Sequence, residues 1–394
     1  MPKLLVVVER LLPPSEIFIL VQAQALKKLG WQVVFATTQR LPSSPVSLNA
    51  FEVRVVPTPI ATRPSGGIRR LAKVVKTVWW QNPYGVDVQT QHAWQQMVED
   101  VAPDALLVHF AQQAGRLLPL LKRLSQPWGV HYHGVDVHTL GRQWGHRLLL
   151  RQLSQYAAGG FCPSYYLMDL LKQWLPSKRH AYLHRITPGV NRHFIQADQQ
   201  TEPYQLGQTP LKIISVGRLV PVKGYGVTLQ ALKSLDFPWQ WSVIGDGPMR
   251  TTLMQQAEEL GIEDRIEWLG AKSHAEVCHA MQQAHLFVQS SHATEQGSEE
   301  ALGLSPLEAS AMGLPIVVST CGGLGETCRH GETGLIYTAG QVDGLTKALV
   351  ELAHNPATMQ KMGAAGRFWV RDAWGDYTQA TLLHKHMLGW LAKR

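Results

Sequence analysis

Cysteine is scarce in this chain, and the usual metal-binding motifs are missing. The 394 residues include four cysteines, namely Cys162, Cys278, Cys321 and Cys328. No two of them form a CxxC pair, and the seventeen histidines include no HExxH motif. These spacings support neither a disulfide framework nor a zinc site, so we expect no bound metal. The thiols are instead expected to be buried, as free cysteines usually are.

The chain also lacks a long apolar run. No stretch reaches the ~18 apolar residues that a transmembrane helix needs. The N-terminus shows no basic segment followed by an apolar segment and a small-residue cleavage site. The sequence therefore predicts a cytoplasmic protein.

Acidic residues are few in the first half. Residues 1–200 carry 22 Lys and Arg against 10 Asp and Glu, whereas residues 201–394 carry 15 against 19. In "IRRLAKVVKTVWW" (68–80), apolar side chains share one helical stripe, and four cations lie largely opposite it: Arg69, Arg70, Lys73 and Lys76. This pattern is typical of a helix on an anionic membrane surface, although an ordinary helix packed on a sheet also fits. The basic half indicates an anionic partner.

What the sequence does contain is a repeated alternation of short apolar segments and amphipathic, helix-length segments. The apolar segments of the first half are "KLLVVVE", "WQVVFATT", "ALLVHF", "WGVHYHG" and "GGFCPS". After a polar stretch at 197–210, the pattern restarts with "LKIISVG", "QWSVIG", "RIEWLG", "HLFVQS" and "PIVVST". This alternation predicts an α/β protein with two Rossmann-like domains built on parallel sheets, at residues 1–200 and 201–372.

Ligands bind such sheets at the carboxyl ends of the strands. The first predicted strand is not followed by GxGxxG, and "IGDGPM" has only two of its three glycines, so a dinucleotide site is weakly indicated. The strand ends of the second half instead carry Arg218 and Lys223, followed later by Glu300 and Glu308. Two cations beside a helix N-terminus predict a pyrophosphate site, and carboxylates can accept hydrogen bonds from sugar hydroxyls. We therefore expect a phosphorylated sugar as ligand.

Each of these charges also has an ordinary structural explanation. Arg218 and Lys223 fit an exposed loop pair, and Glu300 fits a surface acid. In "SPLE", Ser305 and Glu308 have the spacing of a capping box, with Ser305 as N-cap and Gly313 ending the helix. The capping box would explain Glu308 but not Glu300, which lies in a glycine-punctuated loop with no helix of its own to cap.

The motifs of the second half resemble the donor domain of a known enzyme family. The segments "VGRLVPVKGYGVTLQAL", "SEEALGLSPLEASAMGLPIVVSTCGGLGE" and "HGETGLIY" are similar, in this order, to family 4 retaining glycosyltransferases. In the first half, "HYHGVDVH" resembles the HGxD strand end of that family, and "PPSEIFI" resembles the N-terminus of exopolysaccharide-type members. The resemblance implies the GT-B fold, in which two Rossmann-like domains face each other across a cleft. It also implies that the C-terminal helix, 373–394, returns to the N-domain.

The resemblance implies a role for individual residues. Arg218 and Lys223 would neutralise the diphosphate of a nucleotide sugar without a metal. Glu308 would hold the ribose, Glu300 the hydroxyls of the transferred hexose, and His133 would contact the sugar near the breaking bond. The further donor-binding positions are Gly217, Asp246, Gly247, Gly270, Leu304 and Ser305. The acceptor side would include Ser15, Glu16 and Asp136. Two of these positions have ordinary alternatives, because His133 also fits a core histidine and Asp136 a turn-shaping residue.

The leading interpretation is a retaining, metal-independent glycosyltransferase of exopolysaccharide or glycolipid biosynthesis. Its co-substrate would be a nucleotide-diphosphate sugar, UDP-hexose in the first instance, and its acceptor a saccharide or a lipid-linked saccharide. Family members that act on lipid-linked acceptors dock their N-domains on membranes, which favours an anionic membrane surface, and not nucleic acid, as the partner. Two alternatives remain open: a GT-B nucleotide-sugar epimerase or phosphorylase, and a non-catalytic subunit that binds a nucleotide sugar.

Overall fold

The computed structural model describes residues 1–11, 16–40, 46–57, 87–138, 140–197 and 202–393. These residues form two compact units, Met1–Pro188 with Gln379–Arg394, and Gly189–Thr378. Among the helices of the described ranges, none has both the length and the apolar content needed to cross a membrane. Several predicted site residues lie outside the described ranges, namely Ser15, Arg69, Arg70, Lys73 and Lys76.

The first unit contains a seven-stranded parallel sheet. The strands of this unit are β1 (Lys3–Val7), β2 (Arg10–Leu11), β3 (Gln32–Thr37), β4 (Gln39–Arg40), β5 (Glu52–Val55), β6 (Ala105–His109), β7 (Trp128–His131), β8 (Gly159–Cys162) and β9 (Leu183–Arg185). β2 and β4 form a small separate pair, and the other seven strands form the sheet. Its helices are α1 (Ile17–Lys28), α2 (Val88–Val101), α3 (Ala111–Leu121), α4 (Trp144–Tyr156) and α5 (Tyr165–Lys172). The strand order is β5-β3-β1-β6-β7-β8-β9. β1 lies inside the sheet, between β3 and β6, and its Leu4, Leu5 and Val7 are fully buried, which explains its continuous apolar sequence.

The second unit contains a six-stranded parallel sheet. It begins with α6 (Arg192–Gln196), and its strands are β10 (Leu211–Val216), β11 (Trp239–Ile244), β12 (Ile266–Gly270), β13 (Leu286–Gln289), β14 (Ile316–Ser319) and β15 (Gly334–Tyr337). Its further helices are α7 (Tyr225–Lys233), α8 (Arg250–Glu259), α9 (His274–Gln282), α10 (Leu304–Ala311), α11 (Val342–His354) and α12 (Pro356–Ala373). The strand order is β12-β11-β10-β13-β14-β15. Ile213 and Ile214, adjacent in β10, belong to different core clusters, so this strand is buried on both faces.

The two parallel sheets confirm the prediction of two Rossmann-like domains. The sequence predicts a boundary at residue 200, whereas the units divide after Pro188. The difference arises because α6 packs on the second unit: Phe194 is fully buried in a cluster with Val370 and Trp374. The polar composition of 197–210 marks the loop before β10, which is a different feature from the domain boundary.

The last helix, α13 (Asp376–Leu391), contributes to the core of the first unit. Leu383 and Met387 are fully buried in the cluster that also contains Phe161. The Trp390 ring stacks on Phe161 with the ring centroids 5.8 Å apart. The segment Gln379–Arg394 therefore folds with Met1–Pro188 despite its distance in sequence.

Candidate functional site

The strand order of the second sheet reverses at β10, which lies between β11 and β13. At such a switch point the loops that follow the two central strands diverge and leave a crevice at the carboxyl edge. The loops after β10 and β13 nevertheless meet at Gly224. A Cβ on Gly224 would lie 1.9 Å from the backbone oxygen of Ser290, and its φ is +67°, so only glycine fits.

An ion pair joins these two loops. Lys223 Nζ lies 2.7 Å from Glu300 Oε2, and the two side chains are only 16% and 15% exposed. Gln289 Nε2 donates to the same carboxylate oxygen at 3.1 Å, and Ser291 Oγ does so at 3.4 Å. Because these donors all reach Oε2, Oε1 is the oxygen of Glu300 that they leave for a ligand. The structure thus brings together two of the predicted residues, which are 77 positions apart in sequence.

Gln289 belongs to this network and was not predicted from the sequence. It is the last residue of β13, is 5% exposed, and also donates to Ser291 Oγ at 3.1 Å. An amide at the carboxyl end of a buried apolar strand needs hydrogen-bond partners, and "LFVQ" carried that signal. The polar residue that ends this apolar strand is therefore the sequence feature that indicates Gln289.

The start of α10 differs from the prediction. The helix begins at Leu304, which is partly buried, and its N-cap is Gly303, which supplies no side-chain hydrogen bond. Ser305 is inside the helix, and its single hydroxyl proton is shared between Val216 O at 2.9 Å and Gln289 Oε1 at 3.1 Å. The predicted capping box is therefore wrong, because the Ser305 hydroxyl ties the helix to β10 and β13. With no side chain capping the first turn, its N–H groups favour an anion.

Glu308 follows Ser305 by three residues and so lies on the same side of α10. Its side chain is half-buried, and burial raises the pKa of its carboxyl to about 7. Hydrogen-bond donors such as hydroxyl groups would stabilise the charged form and lower this pKa. Glu308 therefore has the properties of a carboxylate that a polar ligand would complete.

The remaining predicted donor residues lie at the carboxyl ends of β10, β11 and β12 or in the loops that follow them. Asp246 O accepts from Leu219 N at 3.0 Å, which joins the first two loops. The Asp246 carboxylate accepts from Gly247 N at 2.7 Å, and Gly270 O accepts from a loop amide, Gly245 N, at 2.8 Å. These contacts shape the backbone near Gly217. Arg218 is exposed in the same loop and takes no part in the Lys223–Glu300 pair.

In the first unit, Asp136 organises the loop after β7. Its carboxylate is fully buried and accepts from Ala111 N at 3.0 Å, His133 N at 3.0 Å and Gly134 N at 2.9 Å. Burial raises the pKa of this carboxyl, and the three backbone donors oppose that rise. Asp136 therefore shapes the turn, and a contact with an acceptor stays a prediction.

Two further features concern the acceptor side and metals. Glu16 is half-buried next to the start of α1, and burial and the nearby Glu9 raise its pKa. His109, His131 and His133 form a cluster whose candidate ligand nitrogens lie within 4.8 Å of one another. Burial lowers the pKa of each of these imidazoles, so all three are neutral. Neutral imidazole is the form that binds metals, and the absence of a bound metal stays a prediction.

Two protein-family models match the two halves of the chain. The "Glycosyl transferases group 1" model matches residues 196–369, and the "Glycosyl transferase 4-like domain" model matches residues 16–185. A GDP-mannose-dependent alpha-(1-6)-phosphatidylinositol monomannoside mannosyltransferase of Mycolicibacterium smegmatis is 32% identical over 220 residues, which cover 53% of this chain and 57% of the relative. The amylovoran biosynthesis glycosyltransferase AmsK of Erwinia amylovora is 26% identical, covering 70% of this chain and 68% of the relative. The chain spans little more than half the length of the mannosyltransferase.

Solved structures share the fold over essentially the whole chain. Sucrose-phosphate synthase from Thermosynechococcus elongatus superposes with a TM-score of 0.79 at 17% identity, covering 100% of both chains. HepE of Anabaena, in complex with UDP, superposes with a TM-score of 0.76 at 15% identity, covering 99% of this chain and 100% of HepE. Identities this low show the fold alone, whereas the two family models together match most of the chain in the expected order. The chain therefore belongs to the family 4 glycosyltransferases, with the GT-B fold that its motifs predicted.

Proposed function

We propose that this protein transfers a hexose from a nucleotide-diphosphate sugar to a saccharide or lipid-linked acceptor, with retention of configuration and without a metal. The observation that carries the proposal is the Lys223–Glu300 ion pair at the switch point, beside the uncapped start of α10. The relatives support the substrate class, because one is named for mannosyl transfer to a phosphatidylinositol mannoside and another for amylovoran synthesis. The proposed acceptor class therefore includes the acceptors of both glycolipid and exopolysaccharide synthesis.

The arrangement can stabilise a departing diphosphate. Negative charge develops on that group as its bond to the anomeric carbon breaks, and Lys223, Arg218 and the first N–H groups of α10 supply positive charge. In a front-face reaction, the acceptor oxygen bonds to the anomeric carbon on the side that the diphosphate leaves. The acceptor proton passes to a departing phosphate oxygen. The protein then needs no carboxylate nucleophile, and its contribution is positioning and charge stabilisation.

The two glutamates can position the donor. Glu300 Oε1 can accept a hydrogen bond from a hydroxyl of the hexose, since Oε2 is occupied by protein donors. Glu308 can accept from the ribose hydroxyls. Both carboxylates would thus contact hydroxyl groups of the donor, which carry no negative charge.

A thermal-shift panel of UDP-, GDP- and ADP-sugars tests donor binding. We expect one nucleotide to raise the melting temperature, with UDP-hexose the first choice from the sequence and GDP-mannose the donor named for the mannosyltransferase relative. A ligand at 100 times its Kd adds about 2.7 kcal/mol to stability. Lys223→Met should lose the shift, while Lys272→Met, in the exposed Lys272–Glu276 pair, should keep it. A panel that leaves the melting temperature unchanged would contradict the proposal.

We also propose that the protein works in the cytoplasm at an anionic membrane surface. The supporting feature is the basic segment 68–80, which lies outside the described residues. Each cation near an anionic leaflet contributes about 1 kcal/mol. We expect sedimentation with phosphatidylserine-containing vesicles at low salt, and loss of that binding when the four cations of the segment are changed to alanine.

A matched control removes four exposed lysines of the second unit, namely Lys233, Lys272, Lys347 and Lys361. This control lowers the net charge by the same amount and should leave vesicle binding intact. Equal binding to neutral and anionic vesicles, or equal loss in both variants, would contradict a specific role for segment 68–80.

A further inference from the structure

His109 and His133 share a hydrogen bond at the carboxyl edge of the first sheet. His109 Nδ1 and His133 Nε2 lie 2.9 Å apart, the rings are within 12° of coplanar, and their centroids are 5.1 Å apart. An in-plane hydrogen bond of this length places two imidazole centroids about 5 Å apart. The rings therefore meet edge to edge, and one proton lies between them.

The position of that proton follows from the other nitrogen of His109. His109 Nε2 is buried and has no hydrogen-bond partner within the described part of the chain. A neutral imidazole carries a single N–H, and burying it without an acceptor costs free energy. The proton of His109 is therefore on Nδ1, which donates to His133 Nε2. Because His133 is also neutral, its own proton must then be on Nδ1.

His131, the third ring, does not compete for this hydrogen bond. Its Nε2 donates to Ile186 O at 3.1 Å, since a carbonyl oxygen can only accept. Its proton is thus directed to the backbone, and its buried Nδ1 carries a lone pair. His109 and His131 are fully buried, whereas His133 is only partly buried. His133 is therefore the ring of the three that a ligand can reach.

We propose that His109 is a positioning residue that holds His133 in the tautomer with its proton on Nδ1. In this tautomer the accessible nitrogen of His133 is a hydrogen-bond donor, suited to a hydroxyl oxygen of a sugar. The opposite tautomer would present a lone pair there. The role in sugar transfer rests on the proposed function, whereas the tautomer itself does not.

Two substitutions of His109 test this assignment. His109→Asn keeps an N–H donor near the position of Nδ1, while His109→Leu keeps similar bulk without a donor. In ¹⁵N spectra of histidine-labelled protein, we expect His133 to be protonated on Nδ1 in the unsubstituted protein and in His109→Asn, and to populate both tautomers in His109→Leu, where no donor to Nε2 fixes the proton. Transfer should show a kcat at least about 10-fold lower for His109→Leu, with donor KM nearly unchanged and with recovery in His109→Asn.

His131→Leu is the matched control, because it removes a neighbouring buried histidine whose hydrogen bond, within the described ranges, is to the backbone oxygen of Ile186. It should lower stability and leave the His133 tautomer in place. Protonation of His133 on Nε2 in the unsubstituted protein would overturn the proposal, and this measurement stands even if His109→Leu does not fold.

The proposal would also be overturned if the protein bound one equivalent of zinc and lacked the proton between His109 and His133. A tetrahedral zinc site needs nitrogens about 3.3 Å apart, with the metal in place of that proton. The expected tautomer without transfer activity toward any donor would instead support the assignment and count against the proposed function.

Discussion

Replacement of Lys223 by methionine is expected to lower sugar transfer by about 10²- to 10³-fold, measured as kcat/KM with the preferred donor. The ammonium group is the cation that the structure holds in a fixed place between the loops after β10 and β13. Arg218 is exposed and forms no ion pair with the described residues, so we do not expect it to take over this position. The same substitution should lower the free energy of unfolding by about 1 to 3 kcal/mol, because it leaves the largely buried Glu300 carboxylate without its charge partner.

The double substitution Lys223→Met with Glu300→Gln separates these two effects. Removing both charges removes the unpaired carboxylate, so stability should recover to within about 1 kcal/mol of the unsubstituted protein. Transfer should not recover, because both groups are expected to contact the donor. Urea denaturation and initial-rate kinetics on the single and double variants complete this cycle.

Lys272→Met is the matched control for the ion pair. It breaks a Lys–Glu contact in the same unit, but Lys272 and Glu276 are 33% and 53% exposed. Its melting temperature and rate should match those of the unsubstituted protein. Recovery of transfer in the double variant would show that Lys223 acts only by neutralising Glu300, and the donor-binding role would then be wrong.

Much of the fold could be predicted from the sequence because the central strands are buried on both faces. Such strands read as continuous apolar runs, as in β1 and β10. The edge strands of the first sheet were missed. β5, "EVRV", and β9, "LHR", are short and carry charged or polar residues, so neither has an apolar run to detect.

The candidate site could be predicted only where it depends on topology. Lys223 and Glu300 follow different strands, and parallel strands bring their carboxyl ends to one edge, which the sequence pattern indicated. The contacts of Ser305 could not be predicted in this way. Its hydroxyl pairs with Val216 and Gln289, which are distant in sequence, and these partners outweigh the local preference for an N-cap. The His109–His133 hydrogen bond likewise depends on a register between β6 and β7 that no local motif encodes.

Replacement of Glu308 by glutamine is expected to stabilise the protein at high pH. The pKa of this carboxyl is about 7 in the folded state, above the ordinary value of 4.5. Between these values the folded protein retains a proton that the unfolded chain has released, so the free energy of unfolding falls as pH rises through this window. At pH 8 the penalty amounts to about 3 kcal/mol, because a difference of one pKa unit is worth about 1.4 kcal/mol. Glu308→Gln should lack this loss, so the two proteins should differ at pH 8 and agree near pH 4.5 in urea denaturation.

Glu351→Gln, at an exposed position of α11, is the control and should leave the pH dependence of stability unchanged. Equal pH dependence in the unsubstituted protein and Glu308→Gln would show that Glu308 is not held in an unfavourable environment.

Donor binding distinguishes a ligand-binding glutamate from one that is merely buried. Ribose hydroxyls that donate to Glu308 would stabilise its carboxylate, so binding should release a fraction of a proton between pH 6 and 7.5, near the pKa of about 7. Calorimetry in two buffers of different ionisation enthalpy measures that release. Glu308→Gln should release none and bind the donor about 10-fold more weakly, because a hydrogen bond to a charged group is lost. If Glu308→Gln were more stable at high pH and bound the donor equally well, Glu308 would not contact the ligand, because its carboxylate would lower stability without raising donor affinity.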